Sequence, residues 1–173
     1  LTIPAPHPTQ VVAVALGDLD GDGDADLAAV ARGASDALLL FVGDGAGALS
    51  FAAALPLGTS GSASGLVLAD LDRDVRNDLA VAQPVLFPPS QSLRIYRRTS
   101  SGALGAGLFA AALDVATSGS FTTDLAVGDL EQDSVAGHFA RLELAQADAG
   151  SGTVVLRGGF DGSSFASSTS PTV

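Results

Sequence analysis

Between Asp18 and Asp26 the chain reads DLDGDGDAD, with a carboxylate at every second position and glycines at Gly21 and Gly23. Carboxylates crowded in this way repel one another unless a cation neutralises them. Alternate spacing turns several of them to one side of a tight loop. That suits a hard cation taking six to eight oxygen ligands at about 2.3–2.6 Å, and calcium is the ion that fits. Asp18, Asp20, Asp22 and Asp26 take positions 1, 3, 5 and 9 of such a loop. Asp24, at position 7, would offer its backbone carbonyl, and Gly23, at position 6, supplies the left-handed backbone that folds the chain back over an ion.

An EF-hand opens in the same way but needs a glutamate at position 12 and a helix on either side. Position 12 here is Ala29, and the flanking VVAV from Val11 and LAAV from Leu27 read as short strands. The loop is therefore expected to connect two strands rather than two helices. A second loop, DLDRDVRND from Asp70 to Asp78, keeps carboxylates at Asp70, Asp72, Asp74 and Asp78, with Arg76 at position 7 of the same ligand set. It places Val75 where glycine is wanted, and Arg73 and Arg76 bring positive charge, so weaker binding is expected there. A third loop offers Asp129, Glu131 and Asp133, after which residues 135–142 intervene before Glu143, a delayed ninth ligand. The bland alternative for this third loop is a surface turn with vestigial acids.

These loops are markers of a repeat. Asp18, Asp70 and Asp129 lead them, 52 and 59 residues apart. A second marker keeps the same order: FAAALPLGTSG from Phe51 returns as FAAALDVATSG from Phe109, and Phe165 opens a degenerate copy. Turn-rich punctuation divides each unit into four short apolar segments, near 11–16, 27–31, 37–42 and 49–57 in the first unit. The second unit gives 65–69, 79–82, 93–98 and 108–115, with a longer loop at 83–92, and the third gives 124–127, 142–147, 153–157 and a weak strand after 164. Ala-rich stretches such as 27–32 would suit a helix by propensity. The segments between breakers are too short for one.

The fold class expected is all-β, with about three four-stranded antiparallel meanders of β-propeller-type blades, at roughly 11–58, 65–116 and 124–173, in a single domain. Three blades are too few for a closed ring, since propellers have about 4–8. The propeller is thus incomplete, or is completed by oligomerisation. Residues 1–10 align with the tail of an outer strand, Ile3-Pro4 matching Leu55-Pro56, so that this strand belongs to a preceding blade or pairs with a partner copy.

Composition narrows the function classes. The net charge of −11, with eight arginines as the basic residues, argues against nucleic acid. The absence of cysteine removes disulfides, thiolate metal sites and cysteine nucleophiles. The longest apolar runs are far shorter than the ~20 residues of a membrane-spanning helix. The chain opens on Leu1 rather than methionine, which permits export. No catalytic constellation is visible, so an enzyme is not expected. His7 and His138 read as solvated loop residues, and residues 43–47 as a hairpin turn that lacks the lysine and helix of a phosphate-binding loop. Arg94, Arg97 and Arg98 around Tyr96 read as strand residues on a solvated face. The loop at 83–92, with Phe87 flanked by prolines, is the best candidate for a partner contact.

VALGDLDGDGDADLA, from Val14, together with VLADLD from Val67 and the partial copy from Val127, resembles the FG-GAP or VCBS repeats of integrin-α-like propellers. The resemblance implies blades around an axis and Ca²⁺ in the connector between the first two strands of a blade. It also implies an extracellular or cell-surface setting in adhesion, ligand binding or scaffolding. Two functions follow as expectations. One is a calcium-stabilised structural or adhesive module that self-associates or packs against neighbouring blades. The other is a ligand-binding module, for a protein or carbohydrate, of a larger secreted protein. Fold alone does not choose between them.

Overall fold

The computed structural model describes residues 10–58, 62–86, 89–117, 122–130, 142–149, 152–165 and 168–169. The first antiparallel sheet is β1 (Gln10–Gly17), β2 (Asp26–Arg32), β3 (Ala37–Gly43) and β4 (Leu49–Pro56). The second is β5 (Leu66–Ala69), β6 (Asp78–Leu86), β7 (Pro89–Tyr96) and β8 (Leu113–Thr117), and the third is β9 (Thr122–Gly128), β10 (Glu143–Asp148), β11 (Thr153–Arg157) and β12 (Ser168–Thr169). Each sheet is a meander with its strands in chain order. The first strands neighbour one another, β1 against β5 and β5 against β9, so the three sheets share an inner edge as propeller-type blades do. Residues 1–9, with His7 and the Ile3-Pro4 segment, lie outside the described residues, as do Phe87 and His138.

The middle strands are apolar on both faces because a blade is buried on both sides. In the first blade Ala28, Val30, Leu38 and Leu40 face the second blade, where they meet Leu66, Leu79, Val81, Tyr96 and Phe109. Ala29, Ala31, Leu39 and Phe41 occupy the opposite face. The second blade repeats the scheme, setting Val67, Ala80, Ala82, Leu93 and Ile95 against Leu125, Leu144 and Phe160 of the third. Alanine on one sheet opposite leucine on the next lets the layers approach closely without voids. The chain thus mates the rear of one blade with the front of the next, twice.

Part of the same two surfaces stays open on the outer faces of the first and third blades, although Ala29, Ala31, Leu39 and Phe41 on the front of the first are buried. On the front of the first blade Val14 and Leu16, at the register positions of Leu66 and Leu68, are 59% and 66% exposed. On the rear of the third, Val154 is 37% exposed where Leu93 of the second blade is fully buried. Among the described residues no helix is long and apolar enough to cross a membrane.

The strand expected at 27–31 is β2, alanine-rich but held extended because pairing with β1 and β3 buries both faces. Three local expectations are revised. The loop expected at 83–92 is a β-hairpin extension, paired from Gln83 with Ser92 to Leu86 with Pro89. The strand expected at 108–115 begins later. Residues 106–108 make a single 3₁₀ turn, Phe109 bridges Arg98 in isolation, and β8 starts at Leu113. Of the three arginines expected on a solvated face, Arg98 is buried, Arg94 makes two 2.7 Å bonds to Asp114, and Arg97 reaches Asp72 at 3.6 Å.

The interface between the first two blades can be tested by truncation. Leu40, fully buried within it, should lose about 2–5 kcal/mol of stability as Leu40→Ala in a urea titration.

Candidate metal centre

Each acidic loop is the connector between the first two strands of its blade, so strand pairing sets its ends. Gly17 pairs with Asp26, Ala69 with Asp78 and Gly128 with Glu143. Position 1 therefore follows the end of one strand, and position 9 begins the next. That brings the two carboxylates side by side across the mouth of the loop.

The ninth carboxylate is buried and works as a latch. Asp26 accepts the Leu19 amide at 2.7 Å and the Gly43 amide, at the end of β3, at 2.9 Å. Asp78 repeats both bonds, to Leu71 at 3.1 Å and to Arg98 at 2.8 Å. Glu143 keeps the first of them, accepting from Leu130 at 2.7 Å. Gly43 is required at its place because a side chain there would strike the Ala25 carbonyl.

Around each latch the loop closes on itself. Asp18 accepts the Gly21 amide and, at 3.1 Å, that of Gly23, and Asp70 accepts Asp74 at 3.0 Å and Val75 at 2.9 Å. Asp22 and Asp74, at position 5, each accept the amide of position 7, at 2.8 and 2.9 Å. Positions 4 and 6 are left-handed in both loops. Gly21 and Gly23 have φ of 90° and 94°, and Arg73 and Val75 have φ of 67° and 68°. A β-branched residue there is strained. Val75 adopts the conformation all the same, because the loop bonds demand it.

The structure brings together positions 1, 3 and 9: one oxygen each from Asp18, Asp20 and Asp26, and likewise from Asp70, Asp72 and Asp78, lie within 4.8 Å of one another. Two oxygens on one calcium ion stand at most ~5 Å apart, so both donor sets fit the ion. Asp22 and Asp74 are not in these groups. Asp24 sets its carboxylate against the turn at Gly45, and Arg76 is paired through its guanidinium with Asp74 at 3.1 Å. In the third loop Asp129 has a buried Oδ1 without a hydrogen-bond partner among the described residues. Glu131 and Asp133 lie outside the described residues.

Burial and mutual repulsion oppose ionisation here. The carboxyl of Asp78 is pushed up to about 7, chiefly by burial, with the charges of Asp72 and Asp74 adding to it and the Arg98 and Leu71 amides opposing it. Burial also raises Asp20 and Asp72. Residues that sequence reasoning missed are Asn77, Arg98 and Gly102, which touch the first loop from the second blade. The one local signal was Asn77 at position 8, where the first loop has Ala25.

Antiparallel four-stranded meanders with acidic connectors between their first two strands define a propeller-type repeat module. Residues 18–81, which include the first two acidic loops, match the family model described as an FG-GAP-like repeat. No curated protein and no solved structure matches the chain.

Three outcomes are expected. Asp26→Ala orphans two buried amides and should cost about 2–5 kcal/mol in chemical denaturation even without metal. Val75→Gly relieves left-handed strain and should stabilise by about 1 kcal/mol after the entropic cost of glycine, read as a higher denaturation midpoint. In chelator, Asp78 holds its proton in the fold up to about pH 7 but loses it near pH 3.9 when unfolded. Its contribution to stability is therefore full below pH 3.9 and lost as pH rises through 7. Melting temperatures measured in EGTA should fall across that window, and saturating calcium should remove the fall.

Proposed function

We propose that the chain is a calcium-stabilised structural or adhesive repeat module of the extracellular space or cell surface, building an assembly through its blade ends rather than catalysing a reaction. The observation that carries the metal reading is the pair of matched carboxylate groups, Asp18, Asp20, Asp26 and Asp70, Asp72, Asp78, each within 4.8 Å. Calcium bound there would neutralise the clustered charge and cross-link both ends of each connector. The remaining expected ligands are Asp22, Asp24, Asp74 and Arg76 in these loops, with Asp129, Glu131, Asp133 and Glu143 in the third.

The assembly reading rests on the ends. Val14 and Leu16 at one end and Val154 at the other stand at positions that are covered wherever one blade meets the next. Repetition of the internal contact between copies would be head to tail, and two copies would give six blades, within the propeller range of about 4–8. A second reading, a module binding a protein or carbohydrate ligand, is favoured by one observation. An open groove of ≈ 380 Å³ lies beside the first loop, lined by Leu16, Asp24, Ala25, Asp44 and Leu49 among others.

Two measurements test the proposal. At a calcium concentration a hundredfold above Kd, each loop should add ~2.7 kcal/mol, or about 5–10 °C in melting temperature. A midpoint indifferent to chelator would sink the calcium reading. Light scattering in calcium should give a discrete multiple of 17.0 kDa, returning to the monomer in Val14→Arg with the circular dichroism spectrum unchanged. A native monomer would favour the ligand-binding reading.

A further inference from the structure

The second carboxylate loop does not stand alone, because it holds the first. Asn77 occupies position 8 of the second loop, directly before the buried ninth carboxylate. Its Nδ2 donates at 3.0 Å to the main-chain carbonyl of Asp18, the first residue of the first loop. A second route leads from the same latch. Asp78 accepts the Arg98 amide at 2.8 Å, and Arg98 lays its guanidinium against Gly21, where any side chain would collide with it. Arg98 Nε donates at 3.0 Å to Ser100, and two residues further on the Gly102 amide donates at 3.3 Å to the Asp20 carbonyl. Both routes start at the closing end of the second loop and finish on Asp18 and Asp20, two of the three residues whose carboxylates converge in the first.

Among the described residues this link joins the first two blades. The first loop has Ala25 at position 8, and the residue before Glu143 is Leu142; neither side chain can donate a hydrogen bond. The second blade is tied to the third by different means, Arg97 joining Asp72 at 3.6 Å to the Gly162 carbonyl at 3.2 Å. The first loop also has more to gain from support, since Gly21, Asp22 and Gly23 are exposed.

We infer that Asn77 is a positioning residue that couples the two loops, so that calcium in the Asp70–Asp78 loop tightens calcium binding by the Asp18–Asp26 loop. This rests on the calcium reading proposed above. An ion in the second loop fixes the chain on either side of Asn77 and Asp78, and the ordering of Asp18 and Asp20 is then already met when the first loop fills. Coupling of this kind is reciprocal, so the first loop tightens the second by the same factor. Filling either loop also weakens the negative field at the other, an opposing effect that salt screens over ~8 Å and that Asn77 does not carry.

The test is a calcium titration of the full chain followed by NMR, with the Gly21 and Gly23 amides reporting the first loop and the Asp74 and Val75 amides the second. Asp70→Ala disables the second loop while breaking bonds only within that loop. It should weaken the first loop by about fivefold or more, the low end of ordinary coupling. Asn77→Leu should weaken the first loop to a similar degree with both loops still titrating, and should add little in the Asp70→Ala background. Circular dichroism of each variant confirms the fold. If Asp70→Ala does not fold, the native titration compared with Asn77→Leu decides alone: a first loop whose affinity is unchanged by Asn77→Leu overturns the coupling and leaves the calcium reading standing. Failure of either loop of the native chain to respond to calcium overturns both.

Discussion

A buried carboxylate at the first residue of each blade's second strand is the constraint from which the rest of the structure follows. Asp26 and Asp78 have no exposed surface, and each bonds one amide of its own loop and one at or just beyond the end of the third strand. An ionised group in such a place is costly unless hydrogen bonds and charge compensate it. Two amide donors supply part of the compensation. A cation bound with positions 1 and 3, as proposed above, would supply the rest and offset the repulsion of the acids gathered at the connector. Blade geometry and the proposed metal site would then be two aspects of one arrangement.

The third blade shows how far the arrangement can be altered. Glutamate replaces aspartate at the latch and the bond to Leu130 survives, because the longer side chain still spans the mouth of the connector. Arg73 and Val75 show the same tolerance in the second loop, since both accept left-handed backbone rather than give up the bonds to Asp70 and Asp74. The pairing of ladder and latch outranks local conformational preference.

Much of this was legible in the sequence because its signals are local. Alternating carboxylates, repeated at Asp18 and Asp70, mark the connectors, and apolar runs such as Ala37–Gly43 mark strands buried on both faces. What escaped was set by tertiary contact. Pro84 and Pro89 read as loop punctuation, yet the ladder pairs through both. Arg98 read as a solvated strand residue, but the latch of Asp78 draws its amide inward and the first loop covers its guanidinium. Asn77 drew no reading in the sequence, because its partner lies 59 positions away. Asp22, expected to converge with Asp18, Asp20 and Asp26, instead accepts the Asp24 amide and stays out of the group.

The outer faces of the first and third blades carry the same logic outward. A repeat buries its faces only against neighbours. Here exposed Val14, Leu16 and Val154 mark faces of the kind that mate inside the chain. The central claim, that a buried carboxylate latch closes each connector and that calcium completes it, is tested most directly by amide hydrogen exchange with and without chelator. The account predicts that the Leu19, Gly43, Leu71 and Arg98 amides exchange slowly in both conditions, and that those of Gly21, Gly23, Asp74 and Val75 become protected only in calcium. Fast exchange at the latch amides, or loop amides unaffected by calcium, would contradict it.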